Sequence, residues 1–269
     1  MRAKTWAHLG SLSASEASEA TSRHSHGRMT ASVLFTGVFV PLLRLNLLYS
    51  TLSVLESFRQ DNVVHLELRT TPRAIPDQGI TKTQYVETIL ACIEEHNARP
   101  LNTMHTGLIL SVDRRNSLLE AEEVVGLALS FQSRGVVGID LCGDPVKGDV
   151  RIFSGVFAKA KAAGMKITVH FAEAAASSTD TELWTLLNWY PDRIGHVIHV
   201  KEEIRKRIVE QKIGVELCIS CNVHAKMITG SFQDHHFGRW RNSGVGVALS
   251  VSDKPHWTAI SGDELTFAL

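Results

Sequence analysis

Residues 166–196 read KITVHFAEAAASSTDTELWTLLNWYPDRIGH. The run opens on Ile167-Thr-Val169, of strand character, and closes on a second short stretch, Arg193-Ile-Gly-His196. Between them, residues 180–189 carry leucines and tryptophans at helical spacing. Strand, helix and strand in this order make a unit whose two strands lie parallel, with the helix on one face. Working outward, the same alternation continues in both directions. Strands are expected at 63–71, 106–114, 135–143, 166–173, 193–199, 214–220 and 246–252, and helices at 83–97, 117–133, 153–163, 180–189 and 202–211. Near-continuous apolar strands separated by helices imply a parallel sheet buried on both faces. Seven in series exceed one nucleotide-binding half and fit an α/β fold of the (β/α)₈ barrel type. An open doubly wound sheet would show a Gly-rich phosphate loop after an early strand, and the sequence has none.

The chain has 269 residues, 44% hydrophobic and 21% charged, an ordinary globular composition. A full barrel takes about 250 residues, so little is left over. Twenty-eight basic residues balance 28 acidic ones, which argues against a general polyanion binder but leaves room for one phosphate-sized basic pocket, and no nucleic acid polymer is expected as partner. Four cysteines, Cys92, Cys142, Cys218 and Cys221, suggest no disulfide framework. Cys218-x-x-Cys221 is read as buried strand cysteines rather than half a metal site. The apolar run 32–50 is broken by Arg44 and is read as a core segment, neither a signal peptide nor a membrane span. A cytoplasmic location and a monomeric chain are expected. Residues 11–28, rich in Ser, Ala, Glu and His, lack hydrophobic periodicity. The organisation expected is therefore a divergent, partly flexible segment at 1–50 and a barrel domain at 51–269.

The strands end in residues with chemistry: Arg69-Thr-Thr71, Asp113-Arg-Arg115, Asp140-x-x-Gly143-Asp144, His170-x-x-Glu173, His196-x-x-His199 and Asp253. In a barrel all these ends meet on one face, where active sites are built. Charges buried there must be paired, hydrogen-bonded or bound to metal. A neutral imidazole at His170 can ligate zinc while Glu173 handles protons. Gly195 before His196 permits close backbone approach, although a histidine bonded within the core is the alternative. Asp253 reads either as a helix cap or as a ligand.

Together these segments resemble the adenosine deaminase family, most closely its N(6)-methyl-AMP deaminase branch. The matching stretches are Leu66-Glu-Leu-Arg-Thr-Thr-Pro-Arg73, Val112-Asp-Arg-Arg115, Gly138-Ile-Asp-Leu-Cys-Gly-Asp-Pro145, His170-Phe-Ala-Glu173, Asp192-Arg-Ile-Gly-His196, Glu216-Leu-Cys-Ile-Ser-Cys-Asn-Val223 and Asp234-His-His-Phe237. They run in family order from about Val54 to Asp253. The resemblance implies a (β/α)₈ barrel, a bound Zn²⁺, and hydrolytic attack at purine C6 with loss of ammonia or methylamine. The small-molecule partner would be a purine nucleotide or nucleoside. By position, His170 resembles the zinc ligand of the fifth strand, Glu173 the proton donor to the purine ring nitrogen, and His196 the histidine assisting the bound water. Gly143 resembles the glycine that meets the purine through its backbone. Thr71, Asp144 and Arg114 are expected beside it, with Arg69, Arg73 and Arg115 as further candidates for a substrate phosphate.

Two family positions differ. The family's first strand ends in His-x-His, whereas this chain has Trp6-Ala-His8, leaving His8 as the candidate second ligand. His24-Ser-His26 has the spacing but no preceding apolar strand. At the eighth strand the family has two consecutive aspartates, and here Ser252-Asp253. Asp253 aligns with the second, which orients the water, and Ser252 with the metal-binding first. A serine hydroxyl is a poor zinc ligand beside a carboxylate. With its ends diverging in this way, the barrel is expected to be incomplete at the N- and C-termini. The alternative function is purine nucleotide or partner binding without turnover.

Overall fold

The computed structural model describes residues 5–9 and 40–251, with side chains for 47–250. Eight parallel strands form a closed ring in chain order: β1 (Thr5–Leu9), β2 (His65–Thr70), β3 (His105–Asp113), β4 (Val136–Cys142), β5 (Lys166–Phe171), β6 (Arg193–His196), β7 (Gly214–Leu217) and β8 (Val247–Val251). Helices pack outside: α1 (Val40–Gln60), α2 (Lys82–Asn97), α3 (Leu118–Ser130), α4 (Ser154–Ala162), α5 (Asp180–Leu187), α6 (Glu202–Glu210), α7 (Ile219–His224) and α8 (Phe237–Arg241). The α/β barrel expected from the alternation is the fold observed. The described strands themselves form a closed ring. Thr5 pairs with both Leu66 of β2 and Leu249 of β8, so the backbone of β1 closes the sheet and removes its two edges. Asp253, Ser252, His24 and His26 lie outside the described residues, as does the side chain of His8.

Local chemistry sets the helix starts. Thr81 and Ser117 accept from the backbone N–H groups of Gln84 and Glu120, whose side chains reach back to the cap backbone. Each is a reciprocal capping box. Thr179 caps α5 through the Glu182 N–H. Helix α1 runs through residue 50, the division expected from composition, and Leu47, Leu55 and Phe58 join the common core. The strand expected at 214–220 stops at Leu217, because Ile219 already opens α7. Among the described residues no helix is long and apolar enough to cross a membrane.

The barrel interior is charged. On β2, Leu66 and Leu68 belong to the apolar core, while Glu67 and Arg69 alternate with them and so point to the opposite face of the sheet. Register places Ser111, Asp140, Thr168 and Arg193 side by side on four successive strands. Arg193 donates to Glu216 at 2.7 Å and to Glu67 at 3.0 Å. Arg69 pairs with Glu216 and stands 3.8 Å from Asp140. Thr168 donates to Glu216 at 3.1 Å, and Ser111 to Asp140 at 3.0 Å. Burial alone would raise the Glu216 carboxyl, but Arg69 and Arg193 outweigh it and hold the group below the usual carboxylate range. Where such barrels usually stack branched aliphatic layers, this one holds a ring of ion pairs directly beneath the strand ends.

Candidate active site

Asp140 links that ring to the barrel mouth. His170, on β5, approaches the Asp140 carboxylate at 3.2 Å and the Leu141 carbonyl at 2.9 Å, both through Nδ1. A carboxylate and a carbonyl on one ring nitrogen fix tautomer and orientation, which is how metal-ligating imidazoles are commonly held through their outer shell. Burial opposes a charge on His170. Asp140 outweighs it through charge and hydrogen bond, Glu173 adds to this, and the imidazole is raised to about 9.

The chain then turns sharply. Ala172, His196 and Val197 all have left-handed backbone, with φ of 51°, 65° and 48°, a conformation that costs on the order of 1–3 kcal/mol for a non-glycine residue. The turn at the end of β6 is tied by the Val197 N–H to Phe171 O at 3.0 Å and by the His199 N–H to Ala172 O at 3.0 Å. These turns set the two imidazoles of His170 and His196 with centroids 5.2 Å apart, and place His196 Nε2 3.5 Å from the Glu173 carboxylate. Burial keeps His196 below the usual imidazole range despite the nearby Glu173 carboxylate. Three sequence-expected residues, His170, Glu173 and His196, are thus brought together. His199 is not among them, being exposed on the following loop.

Gly143 closes one side of the mouth. Its φ is 103°, and an added Cβ would come within 2.5 Å of Asp113 Oδ1. That oxygen is not free to retreat, because the backbone N–H and Nε of Arg115 both donate to it at 2.8 Å. Gly143→Ala is therefore expected to lower stability by about 1–3 kcal/mol, read as a shift of the urea midpoint. An unchanged midpoint would show that the turn relaxes at no cost. Thr71 stands nearby, its hydroxyl 3.6 Å from Cys142 Sγ. Asp144 forms a local turn, accepting from the Val146 N–H at 3.1 Å.

The strand-end arginines are engaged elsewhere. Arg114, expected as a substrate contact, is buried, paired with Glu182, and donates to Pro145 O at 3.2 Å. It ties the loop after β4 to α5, and its buried Nε has no hydrogen-bond partner among the described residues. Arg115 pairs with Asp113 at 2.6 Å, Arg73 lies over the Tyr85 ring at 5.9 Å, and Arg69 belongs to the barrel interior. Cys218 is buried, and burial pushes its thiol well above the usual value, as it does for Cys142. Both behave as packing residues.

Residues not singled out from sequence complete the site. Asn222, at the start of the region after β7, lies 2.9 Å from His196 Nδ1 and 3.0 Å from His235 Nε2. His236 Nε2 donates to the His196 carbonyl at 2.6 Å. The signal was present in two adjacent histidines and a lone Asn beyond an apolar strand, but nothing in their spacing joins them to His196.

Zinc fits this donor set only in part. His170 is prepared as a ligand, yet among the described residues no three His, Cys, Asp or Glu side chains converge on a metal position. A catalytic zinc ordinarily takes three protein ligands. The described donors do not by themselves fit the metal.

Comparison with known proteins follows the same lines. The model of the adenosine deaminase family matches residues 47–265. An N6-methyl-AMP deaminase of Xenopus laevis is 37% identical over 218 residues, 78% of this chain and 60% of that protein. The crystal structure of the Arabidopsis N6-mAMP deaminase superposes with a TM-score of 0.76 at 31% identity, covering 84% of this chain and 67% of that one. An Arabidopsis structure complexed with IMP gives a TM-score of 0.76 at 31% identity, covering 84% of this chain and 66% of that one. The chain spans about 60% of the length of the curated relatives it matches.

Proposed function

The chain belongs to the adenosine deaminase family, and from that premise we propose that it deaminates a 6-aminopurine nucleotide, N6-methyl-AMP to IMP. Water adds its oxygen to C6, the C6–N bond breaks, and the exocyclic nitrogen leaves as methylamine, so that substrate and water balance IMP and amine. The observation that carries the reading is the convergence of His170, Glu173 and His196 at strand ends of the barrel. Glu173 is placed to give a proton to the purine ring nitrogen, making C6 electrophilic. His196, neutral and buried, presents Nε2 towards the same space. Gly143 lets the purine edge approach backbone that a side chain would block.

Adenosine is the competing substrate. Arg69, Arg114 and Arg115 each pair with a carboxylate, so preference for the nucleotide rests on the similarity to nucleotide deaminases. Comparing kcat/KM for N6-methyl-AMP and adenosine tests it. Preference for the nucleotide is expected, and equal values would move the assignment to the nucleoside. The protein is taken to act as a cytoplasmic monomer on this small molecule.

Zn²⁺ is the cofactor the family implies; His170 and His8 would be its ligands in this chain, and the metal would supply an acidified water. Trp6 and Ser252 stand where the resemblance calls for donors. Trp6→His with Ser252→Asp is expected to raise zinc affinity at least as much as the roughly 10- to 100-fold that outer-shell partners are worth, measured by competition with a chelator. Equal affinity would remove both positions from the ligand set. These two residues also favour a second reading, nucleotide binding without turnover.

A further inference from the structure

The hydrogen bonds behind His196 leave only one consistent placement of protons. The Phe237 N–H donates to His235 Nδ1 at 3.0 Å. A backbone N–H can only donate, so Nδ1 must be bare and the His235 proton sits on Nε2. That Nε2 lies 3.0 Å from the Asn222 amide. The amide has two possible orientations, and in one of them Asn222 Nδ2 faces His235 and Oδ1 faces His196. In that orientation two donors, the amide N–H and His235 Nε2–H, would point at each other in a buried site. The two ends of an amide are isosteric, and hydrogen-bond accounting assigns them. Turned over, Asn222 Oδ1 accepts from His235, and Nδ2 donates across 2.9 Å to His196 Nδ1. The Nδ1 atom of His196 is then the acceptor, and its ring proton is on Nε2.

We propose that Phe237, His235 and Asn222 form a relay that locks His196 as the Nε2–H tautomer, so that it faces the barrel mouth as a hydrogen-bond donor and not as a base. Burial, with His236 and His196 nearby, lowers His235 to about 4, which agrees with a neutral ring. All three side chains, His196, Asn222 and His235, are buried, so water does not offer alternative partners freely. His236 holds the backbone of the same turn through the His196 carbonyl. A donor at Nε2, 3.5 Å from Glu173, cannot take a proton from water at that nitrogen. It can stabilise negative charge growing on the oxygen added at C6, as preorganised donors do. The proton carried to the purine must therefore come through Glu173. Asn222 and His235 are positioning residues that act through His196. This use of the donor rests on the deaminase reading, whereas the tautomer itself does not.

The test is imidazole nitrogen NMR on the intact protein labelled with ¹⁵N-histidine, with His196→Gln assigning the signals. Wild type should show His196 with Nε2 protonated and Nδ1 bare, and His235 likewise. A protonated Nδ1 on neutral His196 overturns the relay whatever the enzyme does. Asn222→Asp offers only acceptor oxygens, so Nδ1 of His196 should become protonated. His235→Phe removes the fixed donor, and the single-tautomer signature should be lost. A bare Nδ1 persisting in Asn222→Asp, or an unchanged signature in folded His235→Phe, overturns the proposal. Should either variant fail to fold, the wild-type spectrum still decides.

Discussion

Glu173→Gln is expected to lower kcat on N6-methyl-AMP by about 10²- to 10⁴-fold, the range over which a positioned acid contributes, while IMP binding is retained. The substitution keeps the shape of the side chain and removes the titrating proton. Glu173 sits just past β5, beyond the left-handed turn at Ala172, and its carboxylate is 3.5 Å from His196 Nε2. The neutral amide still meets that donor, so the loop and the turn at His196 should stay in place. Steady-state kinetics beside calorimetric titration with IMP separates the two effects. Weakened binding with unchanged kcat would make Glu173 a binding residue and remove it from proton transfer.

The largest loss of stability is expected at Arg69. This guanidinium lies inside the barrel between Glu216 and Asp140. Arg69→Met fills much of the volume but leaves the two carboxylates with one cation fewer. Removing one partner from a buried pair costs about 3–5 kcal/mol, because the remaining charge is uncompensated. The pH dependence has a definite sign. In the wild type Glu216 is held below its unfolded value of 4.5, so its contribution is present above that value and is lost as pH falls through the depressed pKa. Without Arg69, burial acts with less opposition and the carboxylate becomes a liability at neutral pH, relieved by protonation. Urea unfolding should therefore give a larger deficit at pH 7 than in the acid range. A deficit independent of pH would assign the cost to packing alone. Asp140 also orients His170, so the variant should lose activity as well as stability.

Much of this was legible in the sequence. The strands ending at Thr70, Asp113 and Cys142 stop within a residue of their expected ends, because apolar runs bounded by polar or Gly-rich turns leave few choices. The helices expected from 83 and 117 begin at Lys82 and Leu118, where Thr81 and Ser117 cap them. The resemblance set Trp6-Ala-His8 at the first strand, but periodicity did not: a five-residue strand carries too little of it, and the closure of the ring comes from the register against Leu66 and Leu249. In the site, His170, Glu173 and His196 could be named because they punctuate apolar strands. The Arg114 partner was not legible, because a cation at a strand end looks the same in sequence whether it meets a ligand or Glu182. Asn222 and His235 stand in stretches shared with the family, but their partnership was not legible, since it joins segments that only the fold brings together. The charged interior left a trace in the two-residue alternation of Glu67 and Arg69 among leucines.

The most direct test of the account is product analysis after incubating the folded, zinc-supplemented chain with N6-methyl-AMP, Glu173→Gln alongside. IMP and methylamine are expected in equal amounts from the wild type, and neither above background from the variant. A folded chain that binds IMP yet forms neither product would contradict it, and nucleotide binding without turnover would replace deamination as the function.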